Sequence, residues 1–257
     1  MKKIRNYKRL INDIINSPTP FRVEIIGYAS YGKDIYPLLE ATFLSKTAKK
    51  NIVILGCHHG DESFTTHILL KWMQKYIPTL HPDFNIFIYP CVNPSGYELG
   101  CRDNAAKQDT NDDRFFYKNS KVQELAILFD AFPSSPDLII DVHADTGKTN
   151  SYMYEHKSES LETIAEKVMQ DTDIYIPYLR TKTIYKCPVK NGVITPPSCD
   201  IGVEGALERL GTDYTLTVEL PGKFDGQKRA VGGIAILTSI LTHYKLIVDK
   251  EIVQEKK

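Results

Sequence analysis

The chain has 257 residues, 42% hydrophobic and 25% charged, with a formal net charge of zero. That size and composition describe one globular domain, residues 1–257, with a sizeable core. The charge balance removes any bulk electrostatic case for nucleic acid or an anionic membrane as a partner.

The basic start, MKKIRNYKRLINDIINSPTP, lacks an uninterrupted apolar segment and does not read as a secretory signal. Ile4, Tyr7, Ile11 and Ile14 recur at helical spacing. RVEIIGYA (22–29) reads as a strand, followed by a turn at Tyr31-Gly32 and a second strand over 34–43, whose Pro37 points to an edge or a bulge. NIVILG (51–56) is wholly apolar, as expected of a strand buried on both faces. Phe64, Ile68, Trp72 and Tyr76 predict a helix ending before Pro78. FNIFIYPCV (84–92) is the next buried strand, and the polar stretch 93–119 reads as a long functional loop. Val122, Leu125, Ala126 and Phe129 mark a helix, DLIIDVH (137–143) a strand, and Leu161, Ile164, Ala165 and Val168 another helix. Residues 176–204 read as a second loop region, with prolines at 177, 188, 196 and 197. YTLTVEL (214–220) is a late strand, and Val231, Ile234, Ala235, Thr238 and Leu241 lie on a closing helix. Alternating strands and helices predict an α/β fold, with a mixed, mostly parallel central sheet and helices on both faces. No apolar run approaches the ~18–20 residues of a membrane span. Cys57, Cys91, Cys101, Cys187 and Cys199 show no CxxC spacing, and with no export signal they are expected to be reduced thiols of a cytoplasmic protein.

Polar residues collect where ligands sit in such sheets, beyond the carboxyl ends of the strands. His59 and Glu62 follow the 51–56 strand, His143 ends the 137–143 strand, and Glu219 stands near the end of the 214–220 strand. Two imidazoles and a carboxylate, with one position left for water, are a catalytic zinc set. Glu219 is then left over as a general base. An HxxE pair alone is a weak signal, and a polar loop that merely carries charges is the competing reading. His58 lacks a glutamate at the same spacing. His67 lies inside the expected helix, at its surface or core edge; His81, His156 and His243 have no partners in sequence, and Cys57 reads as a small buried residue at a strand end.

Six segments in order resemble the zinc carboxypeptidase-like metallopeptidases: the Gly32 turn with DIYPL, GCHHGDE (56–62), NPSGYE (93–98), Arg102 and Asn104 with Asp109-Thr110-Asn111, DVHAD (141–145), and TVELPG (217–222). The resemblance implies one Zn2+ ion held by His59, Glu62 and His143. It implies Glu219 as the catalytic base, Arg102 as oxyanion stabiliser, and Asp109 as the partner that orients His59. It implies Asn111 and Arg114 as the grip on a substrate carboxylate, through bidentate guanidinium contacts.

The family pattern D-x-N-R-x-F is interrupted here as DTNDDRFF (109–116), with Asp112 and Asp113 inserted. If the loop bulges, Arg114 still reaches the substrate; if not, Asp112 takes its place and repels a carboxylate. Tyr185 lies in the general region of the family's loop tyrosine. The implied activity is hydrolysis of an amide in a small peptide substrate. The murein peptide amidases, which cut between γ-D-glutamate and diaminopimelate in cell-wall recycling, are the leading expectation, and a general carboxypeptidase the next. N-acyl amino acid deacylases of the aspartoacylase and succinylglutamate desuccinylase type share the ligand logic but continue into an added β domain, whereas 257 − 219 = 38 residues follow Glu219 here. A catalytically silent peptide-binding member would be expected to lack a ligand or the glutamate, and all four residues are present.

Overall fold

A computed structural model describes residues 2–157, 160–194, 202 and 211–255. In chain order the elements are α1 (Tyr7–Ile15), β1 (Arg22–Tyr31), β2 (Asp34–Phe43), β3 (Lys50–Gly56), α2 (Phe64–Lys75), β4 (Phe84–Tyr89), α3 (Pro94–Leu99), α4 (Gln123–Ala131), β5 (Leu138–Asp145), β6 (Tyr152–Lys157), α5 (Ala165–Thr172), β7 (Thr183–Ile184), β8 (Cys187–Pro188), β9 (Val193–Ile194), β10 (Tyr214–Pro221) and α6 (Gly226–Glu255). Eight strands form one mixed sheet in the order β1-β2-β4-β3-β5-β10-β6-β9, while β7 and β8 pair as a separate hairpin. The centre, β4-β3-β5-β10, is parallel, and the outer β1-β2, β2-β4 and β10-β6 pairs are antiparallel.

The apolar run of β3 is buried on both faces because the sheet is covered on both. Ile52 and Ile54 point into the larger core with Ile68 and Trp72 of α2, Val168 of α5 and Ile240 of α6. Val53 and Leu55 point the other way, onto Leu125 and Leu128 of α4. Alternation continues on β5 and β10. Leu138, Ile140 and Val142, with Leu216, Val218 and Leu220, face the larger core. The period of two therefore leaves Asp141, His143 and Asp145, and Thr217 and Glu219, on the opposite face.

Pro37 is accommodated because β2 meets β4 only over Ala41–Phe43, so the strand is an edge where the proline lies. The expected loop 93–119 contains α3, which starts at an Asn93 cap accepting from Gly96 N, with Pro94 in its first turn, and ends at Gly100 in the left-handed region. Strand β6 was not foreseen. Within the expected 176–204 loop region, Pro196 and Pro197 lie outside the described residues, as does Cys199.

Two expectations are corrected. Within Gly226–Val253 of helix α6, an 18-residue window has a mean hydropathy of 1.6, long and apolar enough to cross a membrane by length and composition. Thr238, Thr242 and His243 interrupt the run in sequence, which hid it. Half of that window is buried, and Leu237, Leu241 and Tyr244 of the helix join the main core. Cys187 is disulfide-bonded rather than a free thiol. Cys57, Cys91 and Cys101 are free, and the first two are buried.

Candidate metal centre

Beyond Gly56 the chain leaves the sheet through Cys57, whose φ of 57° is unusual for a residue with a side chain. Cys57 is fully buried and supports the turn, with its amide donating to Thr65 Oγ1. A short 3-10 turn follows over Gly60–Glu62, and Glu62 N donates to His59 O at 3.0 Å. That single turn points both side chains of the H-x-x-E pair in one direction. Gly60 is required there because α3 packs against the turn: a Cβ would sit 1.9 Å from the carbonyl carbon of Gly96. The HG and NPSG motifs are thus two sides of one close backbone contact.

From β5, His143 enters the same space. His59 Nδ1 lies 2.7 Å from Glu62 Oε1, His143 Nδ1 lies 3.2 Å from Glu62 Oε2, and the two Nδ1 atoms are 3.2 Å apart. All three residues are buried, and their donor atoms fall within 4.8 Å of one another. Donors at tetrahedral corners around zinc stand roughly 3.3 Å apart. The far side of each ring meets a carboxylate. His59 Nε2 is 3.5 Å from Asp109 Oδ1, and His143 Nε2 is 3.2 Å from Asp141 Oδ2. A carboxylate beside each Nε2 favours a proton there, which would free each Nδ1 for a metal. The residues present fit zinc.

Without an ion the centre is a cluster of opposite charges: against burial, Asp141 and Glu62 raise His143 well above its ordinary pKa, so a metal would take the place of a proton at Nδ1. Burial opposes ionisation of Glu62, but the imidazoles of His143 and His59 outweigh it and hold the carboxyl well below its usual range. Asp109 is held low in the same way, against burial, by His59, Asn111 N and Arg102. Asp141 is fully buried and also low, with His58 and His143 overcoming the desolvation. His58, expected to be no ligand, stands behind the centre: its Nε2 is 3.3 Å from Asp141 Oδ2, and its ring is parallel to that of His143.

The centre opens into a cleft of about 330 Å³. Glu219 lines it from β10, in register with His143 on β5 and Tyr152 on β6. Arg102 lines it from the loop after α3, with Nη1 3.3 Å from His59 Nδ1 and Nη2 3.2 Å from Asp109 Oδ2. Asn111 is there too, its Nδ2 3.3 Å from His143 Nε2. Arg114 is not brought into the cleft. Its side chain is 78% exposed and forks onto Asp112, Nε to Oδ1 at 2.8 Å and Nη2 to Oδ2 at 2.5 Å. The inserted acid therefore binds the arginine outside instead of letting the loop deliver it.

Tyr185 does line the cleft, from the tip of the β7-β8 hairpin. It and Lys186 both have positive φ, 47° and 68°, the two-residue turn that asparagine and glycine usually supply. The Tyr185 hydroxyl donates to Asp145 Oδ2 at 2.6 Å, and Tyr152 donates to the same oxygen at 3.0 Å. Asp145, Tyr152 and the buried His156 belong to the lining and were missed in the sequence. The alternation D-x-H-x-D on β5 was the available signal for Asp141 and Asp145.

Residues 7–127 match the zinc carboxypeptidase family. No curated protein matches the chain. Among solved structures, the chain is similar to a metallopeptidase candidate from Shewanella amazonensis SB2B, at 23% identity and a TM-score of 0.77, over 92% of this chain and 91% of that one. It is similar to a carboxypeptidase candidate from Burkholderia mallei at 20% identity and 0.67, over 93% and 67%. It is also similar to a succinylglutamate desuccinylase/aspartoacylase from Rhodobacter sphaeroides at 16% identity and 0.59, over 87% and 64%. The sequence likeness to the zinc carboxypeptidase family thus covers the part of the chain that carries His59 and Glu62, and the solved structures share the fold over nearly its whole length.

Proposed function

We propose that the protein is a zinc-dependent hydrolase of an amide bond in a small peptide, cleaving γ-D-glutamyl-diaminopimelate in murein peptides. The observation that carries hydrolysis is the pair of inward Nδ1 atoms with Glu62, and Glu219 as the carboxylate left over beside them. Zinc held by His59, Glu62 and His143 would supply Lewis-acid polarisation of a carbonyl and a water of near-neutral pKa. Glu219, in register with His143, is placed as the general base, the residue that would accept a proton from the attacking water and return it to the leaving amine. Arg102, at the cleft wall, stabilises the developing oxyanion. Asp109 and Asp141 hold the two imidazoles in register, and Asn111 offers an amide to the substrate.

The charges of the cleft support the narrower reading. Asp145 lines it, so it offers a partner to an ammonium beyond the reacting centre. Diaminopimelate carries such a group on its far end. The zinc-loaded protein is incubated with L-Ala-γ-D-Glu-meso-diaminopimelate and followed by mass spectrometry. Release of free diaminopimelate, absent with Glu219→Gln, supports the reading. Intact tripeptide with zinc bound rejects the murein assignment. Cleavage of N-acetylaspartate or N-succinylglutamate in its place would instead favour the deacylase seen in the Rhodobacter likeness.

A further inference from the structure

The segment 102–109 carries Arg102 at one end and Asp109 at the other, and both reach His59. It has no regular secondary structure, yet its geometry must be fixed if those two side chains are to act. Asn104 fixes it from within. Its Oδ1 accepts from Ala106 N and Gln108 N, both at 3.0 Å, and its own N donates to Gln108 O at 3.0 Å. Its Nδ2 then leaves the loop and meets two groups from distant parts of the chain, Tyr31 Oη at 2.8 Å and Glu124 Oε2 at 3.0 Å. The Tyr31 hydroxyl lies 2.7 Å from each Glu124 oxygen.

Glu124 has no exposed surface, and Asn104 is 1% exposed. A carboxylate is costly to bury and is tolerated where its hydrogen bonds are specific. Glu124 stands in the first turn of α4, which packs on β1, so it ties the loop to the rigid sheet. The outer anchor of the same segment is direct: Arg102 O accepts from Gly60 N at 3.1 Å, at the start of the turn that carries Glu62.

We propose that Glu124 is a positioning residue for the metal centre, acting with Tyr31 through Asn104 to hold the loop that places Arg102 and Asp109 against His59. It touches neither substrate nor metal. The catalytic part of the claim rests on the hydrolase reading above; the structural part does not.

The variant Glu124→Gln keeps the shape but leaves one acceptor oxygen where there were two, so the Tyr31 hydroxyl and Asn104 Nδ2 compete for it. Tyr31→Phe removes one donor and keeps the carboxylate, and serves where Glu124→Gln fails to fold. Glu155→Gln is the control for general loosening. Glu155 is also buried, but it holds the start of α5, through Ile164 N and Ala165 N. In metal-free protein, hydrogen–deuterium exchange of peptides covering 102–109 should rise for Glu124→Gln and Tyr31→Phe and stay at the wild-type level for Glu155→Gln. Zinc affinity and kcat should each fall about tenfold for Glu124→Gln, the lower end of what outer contacts to metal ligands carry, with KM changed far less. In an Arg102→Ala/Asp109→Ala background the further effect of Glu124→Gln should shrink to less than about twofold, because the groups it positions are gone. Unchanged exchange at 102–109, or losses matched by Glu155→Gln, would overturn the proposal. If the wild type cleaves no amide, the hydrolase reading fails, while exchange and zinc affinity still decide the positioning role.

Discussion

Asp141→Asn tests the second half of the ligand geometry. Asp141 Oδ2 is shared by His58 Nε2 at 3.3 Å and His143 Nε2 at 3.2 Å, and the three side chains are at most 3% exposed. Asparagine fills the same volume but offers one oxygen and one N–H group where there were two acceptors. With its nitrogen in the Oδ2 place, both Nε2 atoms face a donor and His143 moves its proton to Nδ1; with its oxygen there, they keep an acceptor but lose the charge that favours the Nε2 proton. Losing a partner of this kind typically weakens metal binding 10–100-fold, or about 1.4–2.8 kcal/mol at 1.4 kcal/mol per factor of ten. A buried imidazole left without an acceptor costs about 1–3 kcal/mol in the metal-free fold, a fall in Tm of roughly 3–10 °C for a domain of this size. Zinc affinity is measured by chelator competition and Tm on the chelated protein. A folded variant that binds zinc within twofold of the wild type would refute the tautomer argument.

Arg114→Ala should leave kcat/KM within about twofold of wild type, because the guanidinium is paired with Asp112 at the surface and lies away from the cleft; a loss of more than tenfold in steady-state kinetics would show that the loop rearranges around substrate. Tyr185→Phe should raise KM more than it lowers kcat, since it removes the hydroxyl that docks the hairpin tip on Asp145; a purely kcat effect would contradict this. Stability should fall between pH 6.5 and 4 through His81, which is stacked between Tyr76 and Phe84 and pushed down to about 4 by burial and the nearby Lys245 charge. The sign follows because the unfolded chain takes up a proton near pH 6.5 while the folded chain does not, so the contribution is present above 6.5 and lost as pH falls. Allowing for screening, the loss is at most about 2 kcal/mol; urea titrations of His81→Leu should show a flatter slope over that window, and an unchanged slope would exclude His81 as its source.

The parts legible in the sequence are those set by local pattern. The double-faced apolar run of β3 announced a central strand, and its polar sequel His59–Glu62 announced the end where chemistry sits. The late strand carrying Glu219 was visible for the same reason. Helix α3 was hidden by its polar residues although an Asn cap, a first-turn proline and a terminal glycine all marked it. Asp145 and Asp141 lay in plain alternation with His143, but what they touch is fixed by packing. Tyr185 was hard to place because Tyr-Lys is an unlikely pair for a turn with two positive φ values. Arg114 could not be decided because the outcome depended on a contest, which Asp112 wins at short range. The Tyr31–Glu124 contact joins residues 93 positions apart, and no spacing rule reaches that far.

The central claim is that His59, Glu62 and His143 hold one zinc ion and that Glu219 works beside it. The most direct test is zinc content and amide hydrolysis measured on the same preparation, for wild type and Glu219→Gln, before and after chelation and after zinc is returned. One zinc per chain in both proteins is expected, with hydrolysis in the wild type only, lost on chelation and restored by zinc. Hydrolysis that survives chelation, or that persists in Glu219→Gln, would contradict the account.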